Sequence, residues 1–180
     1  MNARRLQSFF AIIVLSGVSV ASAAIYELSP TATGPALNPG DSALFPGTGI
    51  TPPTPGLVLV APGSFTNDWF FSLNSPVGLT GSVVTFDLLS FDIKGLTVEL
   101  TDTTTSTTYY GPSGVTTFSL NSLPSGPYEL IVKGDATGSS GGYYSGGVQA
   151  VPLPAAAWLL LSGLGGVGVL ARRRRVDNVA

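Results

Sequence analysis

Carboxylates are the side chains through which this chain is best able to do chemistry. The sequence contains no histidine and no cysteine, which excludes Ser-His-Asp catalysis, thiol nucleophiles and zinc sites built on imidazole or thiolate. Carboxylates alone can form a glycosidase pair or bind calcium, and the candidates are Asp68 beside Asn67, Asp87 and Asp92. None of them has the dense Asp-x-Asp-x-Asp spacing of a strong calcium loop. We therefore expect them at strand ends and turns, and expect no catalysis, metal or cofactor.

Three aromatic residues offer a second kind of chemistry, the stacking of sugar rings. Trp69, Tyr143 and Tyr144 combine apolar faces with polar edges, and glycines flank the two tyrosines. Such residues form either an exposed platform for a carbohydrate or part of the packing of a domain. We expect packing, and keep a carbohydrate-binding module as an alternative function.

The end of the sequence is organised as three consecutive elements. Val151-Pro152-Leu153-Pro154 precedes an uncharged stretch, residues 155–171, and the block Arg172, Arg173, Arg174 and Arg175 follows it. As a helix this stretch would be about 25 Å long, slightly short of a hydrocarbon core of about 30 Å. The arginines favour the cytoplasmic side, and the prolines favour an extended segment outside the bilayer. The pattern predicts a transmembrane helix preceded by a segment that a membrane-bound protease can bind.

The beginning of the sequence predicts an export signal. Arg4 and Arg5 precede an apolar run, Phe9 to Val20, and Ala21-Ser22-Ala23 supplies the small residues of a cleavage site. We expect a helical signal peptide over residues 1–23 that is cut after Ala23, with an uncut amino-terminal anchor as the alternative. Both ends of the chain place its middle on the non-cytoplasmic side of the membrane.

The carboxyl-terminal elements resemble a known class of sorting signal. Val151 to Ala155, the Leu159-Leu160-Leu161-Ser162-Gly163-Leu164 span and the arginine block are similar to the PEP-CTERM signals of bacteria, and more narrowly to their VPLPA variant. The resemblance implies processing by an exosortase, an integral-membrane cysteine protease or transpeptidase. It also implies a Gram-negative host that makes exopolysaccharide. The expected route runs through an inner-membrane intermediate to the cell envelope or the medium.

Between the two signals, the composition predicts one modest domain. Residues 24–153 contain nine acidic residues against Lys94 and Lys133, a net charge of −7, so we expect no nucleic-acid partner. Residues 24–63 are rich in proline and glycine and include Pro52-Pro53-Thr54-Pro55. We expect this segment to be an irregular lead-in lying across the domain surface, with a stiff spacer or proline-motif ligand as the alternative.

Residues 64–150 show the alternation of β-strands. Five short runs place apolar residues at every second position and are separated by glycines. The inward sets expected from this pattern include Trp69, Phe71 and Leu73; Val84, Phe86 and Leu88; Leu96, Val98 and Leu100; and Tyr128, Leu130 and Val132. The pattern predicts an all-β domain, a small antiparallel β-sandwich or jelly roll.

Two segments of this region resemble a subgroup of the same class. Phe65 to Leu73 is similar to the opening strand of FxDxF-type PEP-CTERM proteins. Leu123 to Gly134 is similar to the closing hairpin of that group, which pre-peptidase carboxyl-terminal domains share. Nothing in this resemblance implies catalysis.

We therefore expect an exported, non-catalytic surface or matrix protein with a sorting signal over residues 151–180, associated with exopolysaccharide or a biofilm. Its expected partners are the exosortase, the membrane before processing, and exopolysaccharide. The alternatives are a carbohydrate-binding module and a single-pass membrane protein that is never cut.

Overall fold

The computed structural model describes residues 23–48, 54–114 and 116–152. Within these ranges the chain forms strands and no helix, which confirms the all-β prediction for this part. No helix in the described ranges is therefore available to cross a bilayer; the predicted signal helix up to residue 22 and the predicted span 155–171 lie outside them. The strands are β1 (Ile25–Glu27), β2 (Ala36–Leu37), β3 (Ser42–Leu44), β4 (Leu57–Val60), β5 (Gly63–Leu73), β6 (Val77–Phe86), β7 (Ile93–Asp102), β8 (Thr107–Ser113), β9 (Thr117–Leu123), β10 (Gly126–Ala136) and β11 (Gly142–Val151).

The strands form two sheets. The first sheet has the order β1-β3-β11-β6-β9, with β4 also paired to β11, and the second has the order β2-β5-β10-β7-β8. The pairs β1–β3 and β2–β5 are parallel, whereas the other strand pairs are antiparallel. Both sheets are therefore mixed: the predicted antiparallel pairing is confirmed for most strand pairs and is wrong for β1–β3 and β2–β5. The cause is that the chain leaves β1 for β2 in the other sheet and returns to β3, a crossover that permits parallel pairing.

The proline-rich segment 24–63 belongs to both sheets and does not lie across the surface as expected. It supplies β1 to β4, and six of its apolar side chains are buried: Leu28, Leu37, Ala43, Phe45, Val58 and Val60. Phe45 donates its N–H to the carbonyl of Gly146 in β11, at 3.1 Å. The sequence did not reveal this because strands of two to four residues are too short to display an alternation between prolines and glycines. Pro52 and Pro53 lie outside the described residues.

The core follows the predicted alternation in β5, β7 and β10. Trp69, Phe71 and Leu73 are buried, as are Val98, Leu100, Tyr128, Leu130 and Val132. Neighbouring strands place these side chains opposite one another, for example Leu130 opposite both Trp69 and Leu100. Burial of such a side chain stabilises the fold by about 1.5–3 kcal/mol. The buried side chains of the two sheets belong to one hydrophobic cluster.

The predicted inward set of β6 was wrong. Val84, Phe86 and Leu88 are exposed, whereas the buried apolar side chains of this strand are those of Val77, Leu79 and Val83. The register with β11 decides the frame, because Thr85 stands opposite the buried Tyr144 and Phe86 stands opposite Tyr143. Gly81 lies in the inward frame, but it carries no side chain there and is covered by the ring of Phe118. In the sequence, the inward-facing positions of β6 therefore include a glycine, whereas the outward-facing positions carry the apolar residues Val84 and Phe86.

Candidate processing site

The predicted sorting motif begins inside the last strand of the domain. β11 is an interior strand of its sheet and is paired to β6 along its length and to β3 and β4 on the other side. Its last pairs are Ala150 opposite Leu79 and Val151 opposite Gly78. Pro152 follows directly and has no N–H to continue the ladder. The motif therefore leaves the domain without a linker, and its first residue is held by strand pairing.

A narrow crevice surrounds this exit point. Its volume is about 140 Å³, and its walls include Gly78, Thr80, Asn121, Val151 and Pro152. A Cβ atom added at Gly78 would lie 3.2 Å from the carbonyl oxygen of Leu120 and 3.4 Å from that of Val151. Glycine at this position permits the close approach of β6, β9 and the end of β11.

The predicted signal-cleavage site lies at the same end of the sheet. The N–H of Ala24 donates to Oδ1 of Asp41 at 2.8 Å, and the carbonyl of Ala24 accepts from the N–H of Ser42 at 2.9 Å. On the other side of the same turn, the N–H of Gly40 donates to the carbonyl of Ala150 at 2.7 Å. The N–H of Ala150 donates to the carbonyl of Asp41 at 2.9 Å. One turn thus contacts Ala24, the first residue after the predicted signal peptide, and Ala150, the residue before the predicted motif Val151-Pro152-Leu153-Pro154.

Asp41 is the polar residue at the centre of this turn, and sequence reasoning did not single it out. Its side chain is only 3% exposed and accepts from the backbone N–H of Asn38 at 2.8 Å and from Asn38 Nδ2 at 3.2 Å. The N–H groups of Ala24 and Asn38 hold the pKa of the Asp41 carboxyl below its usual range. The available signal was the Asn-Pro-Gly-Asp sequence, whose residue types favour a tight turn, and Gly40 takes a φ of +100° there.

Only part of the predicted processing residues can be placed. Val151, Pro152 and Ala23 are within the described residues, and Ala23 is exposed. Ala21, Leu153, Pro154, Arg172, Arg173, Arg174 and Arg175 lie outside them.

The three aromatic residues considered for sugar stacking do not form one platform. Trp69 and Tyr144 are buried, and the hydroxyl oxygen of Tyr144 accepts from Trp69 Nε1 at 3.1 Å and from Asn67 Nδ2 at 2.6 Å. Phe45 packs against both rings, with centroid distances of 5.3 Å. Tyr143 is only partly buried and contacts Phe91 at 4.4 Å. The expected packing role is confirmed for Trp69 and Tyr144, since both side chains are buried. Tyr143 lies on the other face of the sheet, because successive strand residues point to opposite faces.

The candidate carboxylates are not gathered around a metal site in the described part of the chain. No group of three or more acidic side chains there is arranged to hold an ion. Asp92 is engaged locally, accepting from Lys94 Nζ at 2.9 Å and from Thr137 Oγ1 at 2.7 Å. Partial burial raises the pKa of Glu129, and the charges of Asp68 and Glu99 raise it further.

An exposed apolar groove on the outer face of the first sheet is a feature that the sequence did not reveal. Leu57, Phe86, Leu88 and Tyr143 line it, and its volume is about 400 Å³. Leu89, at the tip of the turn between β6 and β7, is fully exposed and has a φ of +47°, a rare conformation for a bulky residue. The error in the frame of β6 hid this face, because it assigned Phe86 and Leu88 to the core.

Comparison with known proteins finds a match for the carboxyl-terminal end of the chain. Residues 150–175 match the family model of the PEP-CTERM protein-sorting motif. The match begins in β11 and extends through the apolar stretch to the last residue of the arginine block. A search of curated proteins finds no match to the chain. This chain therefore carries a PEP-CTERM sorting signal, which implies processing by an exosortase and export to the cell envelope or beyond it.

Proposed function

We propose that this protein is a non-catalytic β-sandwich that an exosortase releases or transfers to the envelope or the exopolysaccharide matrix. The match of residues 150–175 to the sorting motif carries the proposal. The position of the motif supports it, because Val151 is the last paired residue of β11 and Pro152 already lies outside the strand. An exosortase could then reach Pro152 without unpairing β11.

Contacts between the sheets support a sandwich. The ring of Phe45, beside the first sheet, lies 5.3 Å from the ring of Trp69 in the second. At the other side of the domain, Tyr110 of β8 stacks on Phe118 of β9 at 4.8 Å. Side chains from both sheets therefore meet at both sides of the core, as in two sheets packed face to face.

The surface chemistry supports a matrix component. Charged residues make up 10% of the chain, and there is no histidine or cysteine for common catalytic arrangements. A domain of this kind presents hydroxyl groups and apolar patches to its surroundings. We propose that the domain associates with exopolysaccharide or a biofilm. Before processing, it would lie on the non-cytoplasmic side of the inner membrane, to which its carboxyl-terminal segment anchors it.

Replacement of the motif prolines tests the sorting proposal. In the double variant Pro152→Ala and Pro154→Ala, we expect the protein to remain in the inner-membrane fraction, as it does in a host without its exosortase. Pro62→Ala is the matched control, since Pro62 is exposed between β4 and β5 and its replacement should leave release unchanged. Normal release of the double variant, or equal release without the exosortase, would contradict the proposal. Retention of the unaltered protein in the membrane would identify a single-pass protein that is never cut.

A second candidate function is carbohydrate binding by the outer face of the first sheet. Phe86 and Tyr143 stand opposite each other in register, and Tyr143 contacts Phe91. These rings provide an exposed aromatic surface of the kind on which apolar sugar faces stack. Of the three aromatic residues predicted to stack on sugars, only Tyr143 belongs to this surface.

Binding of the purified exported protein to the host's exopolysaccharide tests this second function. We expect Phe86→Ala and Tyr143→Ala each to weaken binding at least fivefold, about 1 kcal/mol. Val84→Ala, an exposed apolar residue outside the groove lining, should have little effect. Equal binding by the groove variants and the unaltered protein would exclude this face as the binding surface.

A further inference from the structure

The buried carboxylate of Asp41 lies next to the bond that signal-peptide cleavage would break. Oδ1 of Asp41 is 2.8 Å from the backbone nitrogen of Ala24, while Ala23 on the other side of that bond is exposed. The ion pairs recorded among the described residues join Lys94 to Asp92 and Lys133 to Glu99, and neither involves Asp41. Among the described residues, the Asp41 carboxylate therefore accepts hydrogen bonds from N–H groups but forms no ion pair with a positively charged side chain.

Cleavage after Ala23 changes the chemistry of the group that faces Asp41. A signal peptidase adds water across the Ala23–Ala24 peptide bond, leaving a carboxylate on Ala23 and an amine on Ala24. The amine takes up a proton at neutral pH, because the pKa of an α-amino group is about 8. A neutral N–H donor is thereby replaced, at the same atom, by an ammonium group with three N–H donors.

We propose that Asp41 is the binding site for the α-ammonium group that signal-peptide cleavage creates at Ala24. The proposal rests on the export proposed above and on cleavage after Ala23. The nitrogen is already at hydrogen-bonding distance, so the ion pair requires no rearrangement of β1 or of the turn before β3. A charge-assisted hydrogen bond is roughly twice as strong as a neutral one. The lowered pKa of the Asp41 carboxyl agrees with a site arranged for the ionised form.

The ion pair would also secure the strand that carries the sorting motif. The backbone of Asp41 accepts from the N–H of Ala150, and Gly40 donates to the carbonyl of Ala150. Ala150 lies two residues before Pro152. Cleavage at the amino end therefore strengthens the turn that holds β11 in place where the tag emerges, so amino-terminal processing stabilises the substrate presented to the exosortase.

The reactivity of the α-amine tests this proposal directly. The exported protein is purified, its amino terminus is identified by mass spectrometry, and the acylation rate of the α-amine is measured at pH 7. Because only the unprotonated amine reacts, an ion pair that raises its pKa from about 8 to 9 or more lowers this rate about tenfold. Acylation of Lys133 in the same sample reports the activity of the reagent.

Two variants separate the ion pair from simple burial. Asp41→Asn keeps a hydrogen-bond acceptor but removes the charge. A chain with one glycine inserted between Ala23 and Ala24 keeps Asp41 but moves the ammonium group one residue outward. We expect the α-amine of each to be acylated at least tenfold faster than that of the unaltered protein. If Asp41→Asn does not fold, the glycine insertion still provides the comparison.

Equal acylation rates in the unaltered and extended proteins would overturn the proposal. An amino terminus at any residue other than Ala24 would overturn it too. Neither result bears on sorting, which is measured at the carboxyl end, so failure here is distinguishable from failure of the proposed function.

Discussion

At the scale of single residues, Tyr144 is the polar centre of the core. Its ring is fully buried, and its hydroxyl oxygen accepts from both Trp69 and Asn67. Burial raises its pKa to about 12, against the effect of the two donors. A hydroxyl that satisfies two donors from the opposite sheet fixes how the two sheets meet.

Removal of this hydroxyl tests that role. Tyr144→Phe leaves the indole N–H of Trp69 buried without its acceptor, which should lower the free energy of unfolding by about 1–3 kcal/mol. Tyr143→Phe, the neighbouring residue on the opposite face, should change it by less than about 0.5 kcal/mol. Urea denaturation followed by circular dichroism measures both. Equal stability of the two variants would contradict the assignment.

Buried tyrosines also predict loss of stability in alkali. Burial raises the pKa values of Tyr128 and Tyr144 to about 12, whereas a tyrosine in the unfolded chain ionises near pH 10. Above pH 10 the unfolded state therefore releases protons that the folded state retains. Above pH 10 the free energy of unfolding should therefore decline by up to about 1.4 kcal/mol per pH unit for each buried tyrosine. The decline should end when the pH reaches the pKa of that tyrosine in the folded state.

Urea midpoints between pH 8 and pH 11.5 measure this decline. The loss between pH 10 and pH 11.5 should be smaller in Tyr144→Phe than in the unaltered protein, since one of the two groups is gone. Parallel curves for the two proteins would show that Tyr144 does not control the alkaline transition.

At the scale of strands, the proline-rich segment is an integral part of the fold. Phe45, just after β3, is fully buried and contacts the rings of Trp69 and Tyr144. The hydrogen bonds of β3 with β11 and of β2 with β5 tie this segment to both sheets. The short strands of this segment thus contribute backbone pairing and buried side chains to the domain, as the longer strands do.

Truncation of Phe45 distinguishes a core segment from a surface lead-in. Phe45→Ala should lower the free energy of unfolding by about 3–5 kcal/mol, because it removes a fully buried ring between two others. Tyr26→Ala, in the exposed strand β1, is the control and should cost much less. A small effect of Phe45→Ala in urea denaturation would mean that residues 24–63 pack loosely on the domain.

How well the sequence predicted each strand depended on the clarity of its alternation. In β5 and β10, large apolar residues occupy three consecutive inward positions, so Trp69, Phe71 and Leu130 were assigned correctly. In β6, Gly81 interrupts the inward frame and Val84 and Phe86 occupy the outward one, so the pattern favoured the wrong face. The position of Asp41 depends on a turn between two sheets, and no local pattern encodes which distant residues such a turn contacts.

At the scale of the whole molecule, the described residues that adjoin the two predicted processing segments lie at one end of one sheet. Ala24 and Ala150 contact the same turn, Asn38 to Asp41, and the match to the sorting motif begins at Ala150. A protein cut at both ends would leave both new termini at this end. The groove of Phe86 and Tyr143, near the start of β11, would then remain open to the proposed exopolysaccharide partner.

The intact mass of the protein recovered from envelope and medium tests the central claim most directly. We expect a chain that begins at Ala24 and ends near Pro154, found only when the host's exosortase is present; any additional mass would report attached lipid or sugar. A chain that retains Arg172 to Arg175 in the presence of an active exosortase would contradict the account, because the sorting signal would then be a permanent membrane anchor.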